Sequence, residues 1–156
     1  MDTKPASPPR CPYEAARAAC DVVEVLEVVW ERCRDTASLP VSTSQLRVLY
    51  ALEREEGINL RTLGEMLGST PSSVSRLCDR LTAVGLVERC PSPVSRRELE
   101  LHLTSSGKSY LRELRERREL DLTPALDAMQ PQRREDLLKG LQGLWKAFDE
   151  AEPARV

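Results

Sequence analysis

Apolar side chains recur at helical spacing near both ends of the chain. Over residues 13–34 they fall on one broad face, and residues 130–151 repeat the pattern with leucines, a tryptophan and a phenylalanine. The segment between them is too small to cover both faces. The pattern therefore predicts that residues 13–40 and 106–150 form a helical dimerisation region, in which a second copy of the chain covers the exposed faces.

A pair of short helices is predicted in the middle of the chain, after a helix that is capped at Thr43 or Ser44. The first of the pair covers residues 61–68 and ends at a glycine. The second has Thr70 as its N-cap and Pro71 at its first helical position, where the missing N–H costs nothing, and it continues to about Ala83. Two short helices joined by a tight turn form a helix-turn-helix.

A β-hairpin is predicted directly after this pair. Residues 86–90 form a short strand, and residues 98–103 alternate between leucines on one face and two glutamates and His102 on the other. The predicted fold class is therefore mainly α with a small β wing, in which residues 42–104 form a winged helix-turn-helix lobe. The helix that follows the hairpin is expected to be interrupted or kinked at Pro124.

Composition narrows the possible classes of protein. Charged residues make up 31% of the chain and aromatic residues only 4%, which is typical of exposed helices around an aliphatic core. Residues 1–12 contain four prolines and are expected to form a disordered arm. No stretch approaches the roughly 20 apolar residues that span a bilayer, and the N-terminus does not resemble a secretory signal. A cytoplasmic protein without membrane attachment is predicted.

The cysteine and histidine content argues against an enzyme or a metal protein. The five cysteines include no Cys-x-x-Cys pair, so free thiols are expected in a reducing compartment. The single histidine, His102, leaves few options for a catalytic triad or a zinc site. No catalytic residue, metal or cofactor is therefore predicted. Cys78 falls on the apolar face of its helix and is expected to lie in the core.

The helix that begins at Pro71 combines a polar face with an apolar one. Ser73, Arg76 and Arg80 share one side at i, i+3 and i+7 spacing, and the opposite side carries Val74, Leu77, Cys78 and Leu81. The planar fork of arginine matches two acceptors on guanine, and serine hydroxyls can donate to phosphates or base edges. The helix N-terminus adds free N–H groups and a partial positive charge. The pattern predicts a helix that reads DNA.

The net charge of −2 would oppose DNA binding if it were evenly spread. Between residues 72 and 97, however, five arginines stand against Asp79 and Glu88, so this segment carries +3 and the remainder of the chain −5. A positive face on an acidic body can still bind DNA because field focusing is local. We expect the affinity to depend steeply on salt, since phosphate contacts release counterions.

Two stretches of the sequence, "LRTLGEMLGSTPSSVSRLCDRLTAVGLVER" and "SRRELELHLTSSGK", together resemble the multiple-antibiotic-resistance regulator (MarR) family of winged-helix repressors. The close resemblance covers residues 46–111. It implies a homodimer, usually a repressor, on a pseudo-palindromic operator. The recognition helix of residues 71–83 would lie in the major groove and the wing of residues 90–97 in the minor groove. It also implies a pocket between the dimerisation helices and the DNA-binding lobe. A small-molecule effector bound in this pocket would release the DNA.

The resemblance assigns individual side chains to the DNA contact. Ser72, Ser73 and Arg76 would face the bases, whereas Ser75 and Arg80 would contact phosphates. The full set of candidate DNA-binding residues is Thr70, Ser72, Ser73, Ser75, Arg76, Arg80, Arg96 and Arg97.

The wing departs from the family pattern. Ser95 stands where the family usually has an aspartate that orients the wing, and whether Arg96 or Arg97 enters the minor groove stays open. This departure and the acidic body leave one alternative, a protein-interaction module with a degenerate winged helix. A second alternative is a thiol-based redox-sensing regulator that uses Cys11 or Cys20.

Overall fold

The computed structural model describes residues 11–35, 41–93 and 98–151. The chain divides after residue 40 into two compact units, and α1 is the described part of the first. The predicted fold, mainly α with a two-stranded hairpin, is confirmed. In chain order the elements are α1 (Pro12–Asp35), α2 (Thr43–Arg54), α3 (Leu60–Leu67), α4 (Pro71–Ala83), β1 (Val87–Pro91), β2 (Leu99–Leu103), α5 (Ser105–Asp127) and α6 (Pro131–Ala151).

The N-cap of helix α2 lies before both of its predicted positions, Thr43 and Ser44. Ser42 is the N-cap: its Oγ accepts the N–H of Gln45 at 3.3 Å, and Gln45 Oε1 accepts the N–H of Ser42 at 2.9 Å. This reciprocal capping box satisfies two backbone donors that the helix leaves unpaired. The assignment of the cap to Thr43 or Ser44 is therefore wrong.

One apolar core joins α2, α3, α4 and the hairpin. Its largest side chains, which are excluded from solvent, come from every one of these elements and from the start of α5. They are Val48, Leu49, Leu52, Leu63, Val74, Cys78, Leu81, Leu86, Val87, Leu101 and Leu111. The burial of this aliphatic set supplies most of the stability of the lobe, since apolar burial contributes about 25 cal/mol per Å².

The hairpin pairs β1 with β2 in antiparallel register, with Val87 opposite Leu103. Leu101 and Leu103 are buried, as the alternating pattern predicts, whereas Leu99 at the far end of the hairpin is 51% exposed. Before α3, strand-like pairing is limited to one bridge between Ile58 and Leu101. It stops there because the next residue already serves as the N-cap of α3.

The hairpin passes into α5 through a close backbone contact. Thr104 caps α5: its Oγ1 accepts the N–H of Gly107 at 3.0 Å and donates to the carbonyl oxygen of Gly85 at 2.6 Å. A Cβ at Gly107 would lie only 2.2 Å from the carbonyl oxygen of Leu86. Glycine is therefore required at this position, and the contact fixes the start of α5 against the hairpin.

Helix α5 runs through Pro124 and ends at Asp127, so the predicted interruption at Pro124 is wrong. Proline lacks the N–H that would bond to the carbonyl four residues earlier, and this loss usually ends or bends a helix. The hydroxyl of Thr123 donates to the carbonyl oxygen of Glu119 at 2.8 Å and so satisfies a neighbouring acceptor.

Three polar contacts join α5 to α2 and the residues just after it. Arg115 forms a bidentate ion pair with Glu53, in which Nη1 donates to Oε1 at 2.8 Å. The hydrogen bond and the charge of Arg115 lower the pKa of Glu53. Arg118 donates to the hydroxyl of Tyr50 at 2.9 Å, and Lys108 pairs with Glu56 at 2.6 Å. These contacts attach the long helix to the winged lobe along one side of α2.

Broad apolar surfaces remain exposed on α1 and on α6. Four valines of α1 are more than half exposed, and on α6 Trp145 is 65% and Phe148 60% exposed. A single chain therefore leaves these faces uncovered, as the dimerisation prediction requires, and that prediction remains to be tested. None of the helices in the described part of the chain combines the length and apolar character needed to cross a bilayer.

Candidate nucleic-acid interface

Helix α4 begins after a tight turn that exposes its first residues. Gly68 ends α3 in the left-handed conformation, with φ of 58°, which residues with a Cβ rarely adopt. Thr70 then serves as the predicted N-cap, and its Oγ1 accepts the N–H of Ser73 at 3.4 Å. Pro71 occupies the first helical position. The turn directs the chain so that the N-terminus of α4 remains open to solvent.

The two sides of α4 differ as the sequence predicts. Val74, Cys78 and Leu81 are fully buried against the core. Leu77, the fourth member of the predicted apolar row, is only partly buried. Among the candidate DNA-binding residues of α4, Ser72, Ser73, Arg76 and Arg80 are exposed, and Ser75 is half-buried. Because the buried row anchors the helix, the exposed row is presented on a rigid support.

Three hydroxyls meet at the N-terminus of α4. The Thr70 hydroxyl donates to Ser73 Oγ at 3.0 Å and lies 3.3 Å from Ser72 Oγ. The first N–H groups of a helix carry a partial positive charge, so this end favours a negatively charged oxygen. The structure therefore brings together the three candidate residues nearest the turn, in a position suited to a phosphate or a base acceptor.

A groove of 290 Å³ lies between α2, the end of α3 and α4. Arg47, Arg76 and Arg80 line it together with three serines and two leucines, and no carboxylate takes part. Sequence reasoning missed Arg47. It stands three residues after Ser44, so helical spacing places the two on one side of α2, but the sequence does not reveal that this side faces α4.

Arg89 is not part of the open positive face that the charge count suggested. Its Nη2 lies 2.7 Å from Oδ1 of Asp79, and this ion pair joins β1 to α4. The pair neutralises the charge of Arg89. It also engages Asp79, the only carboxylate of α4, which therefore does not compete with DNA phosphates for the other arginines of the helix. Within the described part of residues 72–97, the charged side chains outside this ion pair are Arg76, Arg80 and Glu88.

The tip of the wing contains the remaining candidates. Arg96, Arg97 and the atypical Ser95 lie outside the described residues. The hairpin is closed just before them by the N–H of Ser92, which donates to the carbonyl oxygen of Glu98 at 2.9 Å. The assignment of the wing arginines to the minor groove stays a prediction.

Cys78 lies in a different environment from the two cysteines of the redox-sensing alternative, Cys11 and Cys20. Cys78 is buried, and this burial raises the pKa of its thiol to about 11, so almost no thiolate forms at neutral pH. The prediction that Cys78 is a core residue is confirmed. Cys11 and Cys20 are exposed. A thiol-based sensing role would therefore depend on these two rather than on the recognition helix.

A second, larger cavity of 440 Å³ also borders α2 and shares Arg47 and Leu67 with the groove. Residues of α2, α3 and α5 surround it, including four arginines and one glutamate, Glu53, whose carboxylate is already paired with Arg115. Its lining residues are Arg47, Tyr50, Ala51, Glu53, Arg54, Met66, Leu67, Arg115 and Arg118. The cavity therefore offers an excess of positive charge beside an aromatic ring.

Helix α3, the turn, α4 and the hairpin together define a winged helix-turn-helix protein. The sequence pattern of the MarR family matches residues 39–98. The chain is 30% identical over 113 residues to the HTH-type transcriptional regulator YfiV of Bacillus subtilis, an alignment that covers 72% of this chain and 71% of YfiV. It is 36% identical over 86 residues to the regulator PetP of Rhodobacter capsulatus, and this alignment covers 55% of this chain and 52% of PetP.

Solved structures agree with this assignment. RV1404 from Mycobacterium tuberculosis superposes with a TM-score of 0.78 at 29% identity and covers 92% of this chain and 98% of its own. FabT of Streptococcus pneumoniae, solved in complex with DNA, has a TM-score of 0.63 at 19% identity, covers 89% of this chain and 99% of its own, and shows the shared fold. The chain belongs to the MarR family and is a helix-turn-helix transcriptional regulator. The family consists of regulators and not of enzymes.

Proposed function

We propose that this protein is a homodimeric repressor that binds a pseudo-palindromic DNA operator. Helix α4 would enter the major groove, and the wing of residues 90–97 would enter the adjacent minor groove. The observation that carries the proposal is the exposed polar row of α4, in which Arg76 and Arg80 stand beside three hydroxyls, opposite the buried side chains of Val74, Cys78 and Leu81. The fold it shares with FabT, a protein solved in complex with DNA, supports it.

The exposed row divides by distance from the helix N-terminus. Ser72, Ser73 and Arg76 lie in the first two turns, where a helix inserted end-on approaches the base edges. Ser75 lies farther round the helix and Arg80 lies farther along it. Both would contact the flanking phosphates. Thr70 holds the first turn through its capping bond and adds its own hydroxyl. Arginine would supply base discrimination, since one bidentate contact contributes about 1–3 kcal/mol.

The exposed apolar surfaces of α1 and α6 support the proposed dimer. A large exposed apolar patch is unusual on a monomeric protein and commonly marks an interface. A twofold axis through such an interface would repeat α4 at a spacing of about one helical turn of DNA, near 34 Å. The operator would then consist of two inverted half-sites. A cytoplasmic location remains part of the proposal because regulators of transcription act where the DNA is.

An anionic effector is proposed for the 440 Å³ cavity beside α2. A volume of this order suits a small organic molecule. Arg115 is engaged by the single lining carboxylate, so a carboxylate ligand would gain charge-assisted hydrogen bonds from Arg47 and Arg54. Such a ligand would contact α2 and α5 at once, and it would release DNA if it changed the angle between them.

The test is the affinity of the dimer for its selected operator after two substitutions on α4. Arg76→Ala should weaken binding by about 1–3 kcal/mol per half-site, which is roughly 5- to 150-fold for each, and should relax specificity at one base pair of each half-site. Arg80→Ala should weaken binding to all sequences alike. Fluorescence anisotropy on the operator and on single-base variants separates the two effects. Unchanged affinity in both variants would refute the assignment of α4 as the reading helix.

A further inference from the structure

We propose that Arg47, on α2, is a further DNA-binding residue, and that together with Arg80 it holds one backbone phosphate in each half-site, while Arg76 beside them contacts the bases. The proposal rests on the proposed function, because it requires α4 to lie in the major groove. It adds a contact from a helix outside the helix-turn-helix pair. It also assigns a role to the 290 Å³ groove between α2 and α4.

The guanidinium of Arg47 is held at the rim of this groove. Its Nη2 donates to the carbonyl oxygen of Leu67, the last residue of α3, at 3.3 Å. A guanidinium has five N–H donors in a fixed plane, so this bond orients the group and leaves further donors for an anion. A preoriented arginine loses less conformational entropy on binding than a freely rotating one.

The charges that line the groove favour an anion. Three arginines surround it without a carboxylate, and within the described ranges no ion pair involves any of the three. Asp79, the acidic residue of α4, is held by Arg89 of β1 instead. Like charges that share one groove repel each other, and a bound phosphate would offset that repulsion. Ser44 and Ser73, from the first turns of α2 and α4, add hydroxyl donors to the lining.

Continuity with the reading face identifies the phosphate as one of the DNA backbone. Ser73, Arg76 and Arg80 belong both to the exposed row of α4 and to the lining of the groove. When the N-terminal part of α4 contacts base edges, the strand that borders the major groove lies beside the helix, at the position of this groove. A phosphate contact fixes the register of the protein on the duplex and carries no sequence information itself.

The experiment measures how the affinity for the selected operator changes with salt. Each phosphate contact contributes about 0.9 to the slope of log K against log salt, so Arg47→Gln, which removes two contacts per dimer, should reduce the slope by about 1.8. Arg47→Lys keeps the charge and should keep most of the slope. Lys139→Gln is the matched control: it removes one positive charge from an exposed i,i+4 pair on α6 and should leave the slope unchanged.

Thermal unfolding of each variant separates binding from folding. If Arg47 only supports α3 through Leu67, Arg47→Gln lowers the melting temperature and the affinity without changing the slope, and the proposal is overturned. A slope equal to that of the unsubstituted protein also overturns it, as does a loss confined to one base pair of the operator. If the unsubstituted dimer itself binds no DNA, it is the proposed function that fails.

Discussion

Replacing Gly107 by alanine should destabilise the protein more than its small size suggests. The new Cβ would lie 2.2 Å from the carbonyl oxygen of Leu86 and 3.2 Å from the carbonyl carbon, where ordinary van der Waals contact needs about 3.5 Å. The backbone of Leu86 cannot move freely, because its carbonyl accepts the N–H of Thr104 at 3.1 Å and its N–H donates to Leu81 at 3.0 Å. The clash must therefore strain the junction between the hairpin and α5.

The magnitude follows from three opposing effects. Overpacking costs about 1–3 kcal/mol, and a lost hydrogen bond at a buried junction costs about 1–3 kcal/mol. The higher helix propensity of alanine returns about 1 kcal/mol. We expect a net loss of about 1–5 kcal/mol, which is a fall in melting temperature of about 2–20 °C for a chain of this size.

The assay is thermal and urea unfolding followed by circular dichroism, with Gly143→Ala as the matched control. Gly143 lies in α6 with nothing within 4 Å of the Cβ position, so the same chemical change should stabilise the helix by about 0.5–1 kcal/mol. If Gly107→Ala is as stable as the unsubstituted protein, the close approach of α5 to Leu86 is refuted, together with the rigid attachment of α5 that depends on it.

Two further predictions concern ionisable side chains. At pH 8 a thiol reagent should label Cys11 and Cys20 quickly in the native protein, and Cys78 only after unfolding, because burial raises the pKa of the Cys78 thiol to about 11. Mass spectrometry measures the labelling of each cysteine, and rapid labelling of all three in the native protein would contradict this prediction. Arg115 lowers the pKa of Glu53, so their pair stabilises the native state above the ordinary glutamate pKa and this contribution is lost as the pH falls through the lowered value. The difference in unfolding free energy between Glu53→Gln and the unsubstituted protein should therefore shrink on acidification, and a difference independent of pH would disprove the account.

The recognition helix could be predicted from the sequence because its signals are local. Thr70 at the N-cap and Pro71 at the first helical position determine where α4 starts, and the spacing of its apolar residues determines which side is buried. The hairpin also lies within one residue of its prediction, because its second strand alternates strictly between leucine and polar side chains. For both elements, the information is contained within a few neighbouring residues.

Features that depend on tertiary contacts could not be predicted in this way. The position of Arg47 beside α4 and the pairing of Asp79 with Arg89 join residues from different elements, and no local spacing encodes them. The N-cap of α2 is a different case, because a serine followed three residues later by a glutamine is a local capping-box signal, and this signal alone predicts the observed cap. Pro124 shows the limit of a local rule, since α5 continues where proline usually ends a helix.

The central claim is that two copies of α4 read one DNA site. Selection of bound duplexes from random DNA by the purified protein tests it most directly, because the enriched sequence reports the half-site and its spacing together. The account predicts two inverted copies of one short half-site, with their centres about 10 base pairs apart. Enrichment of a single unrepeated site, or no enrichment at low salt, would contradict it.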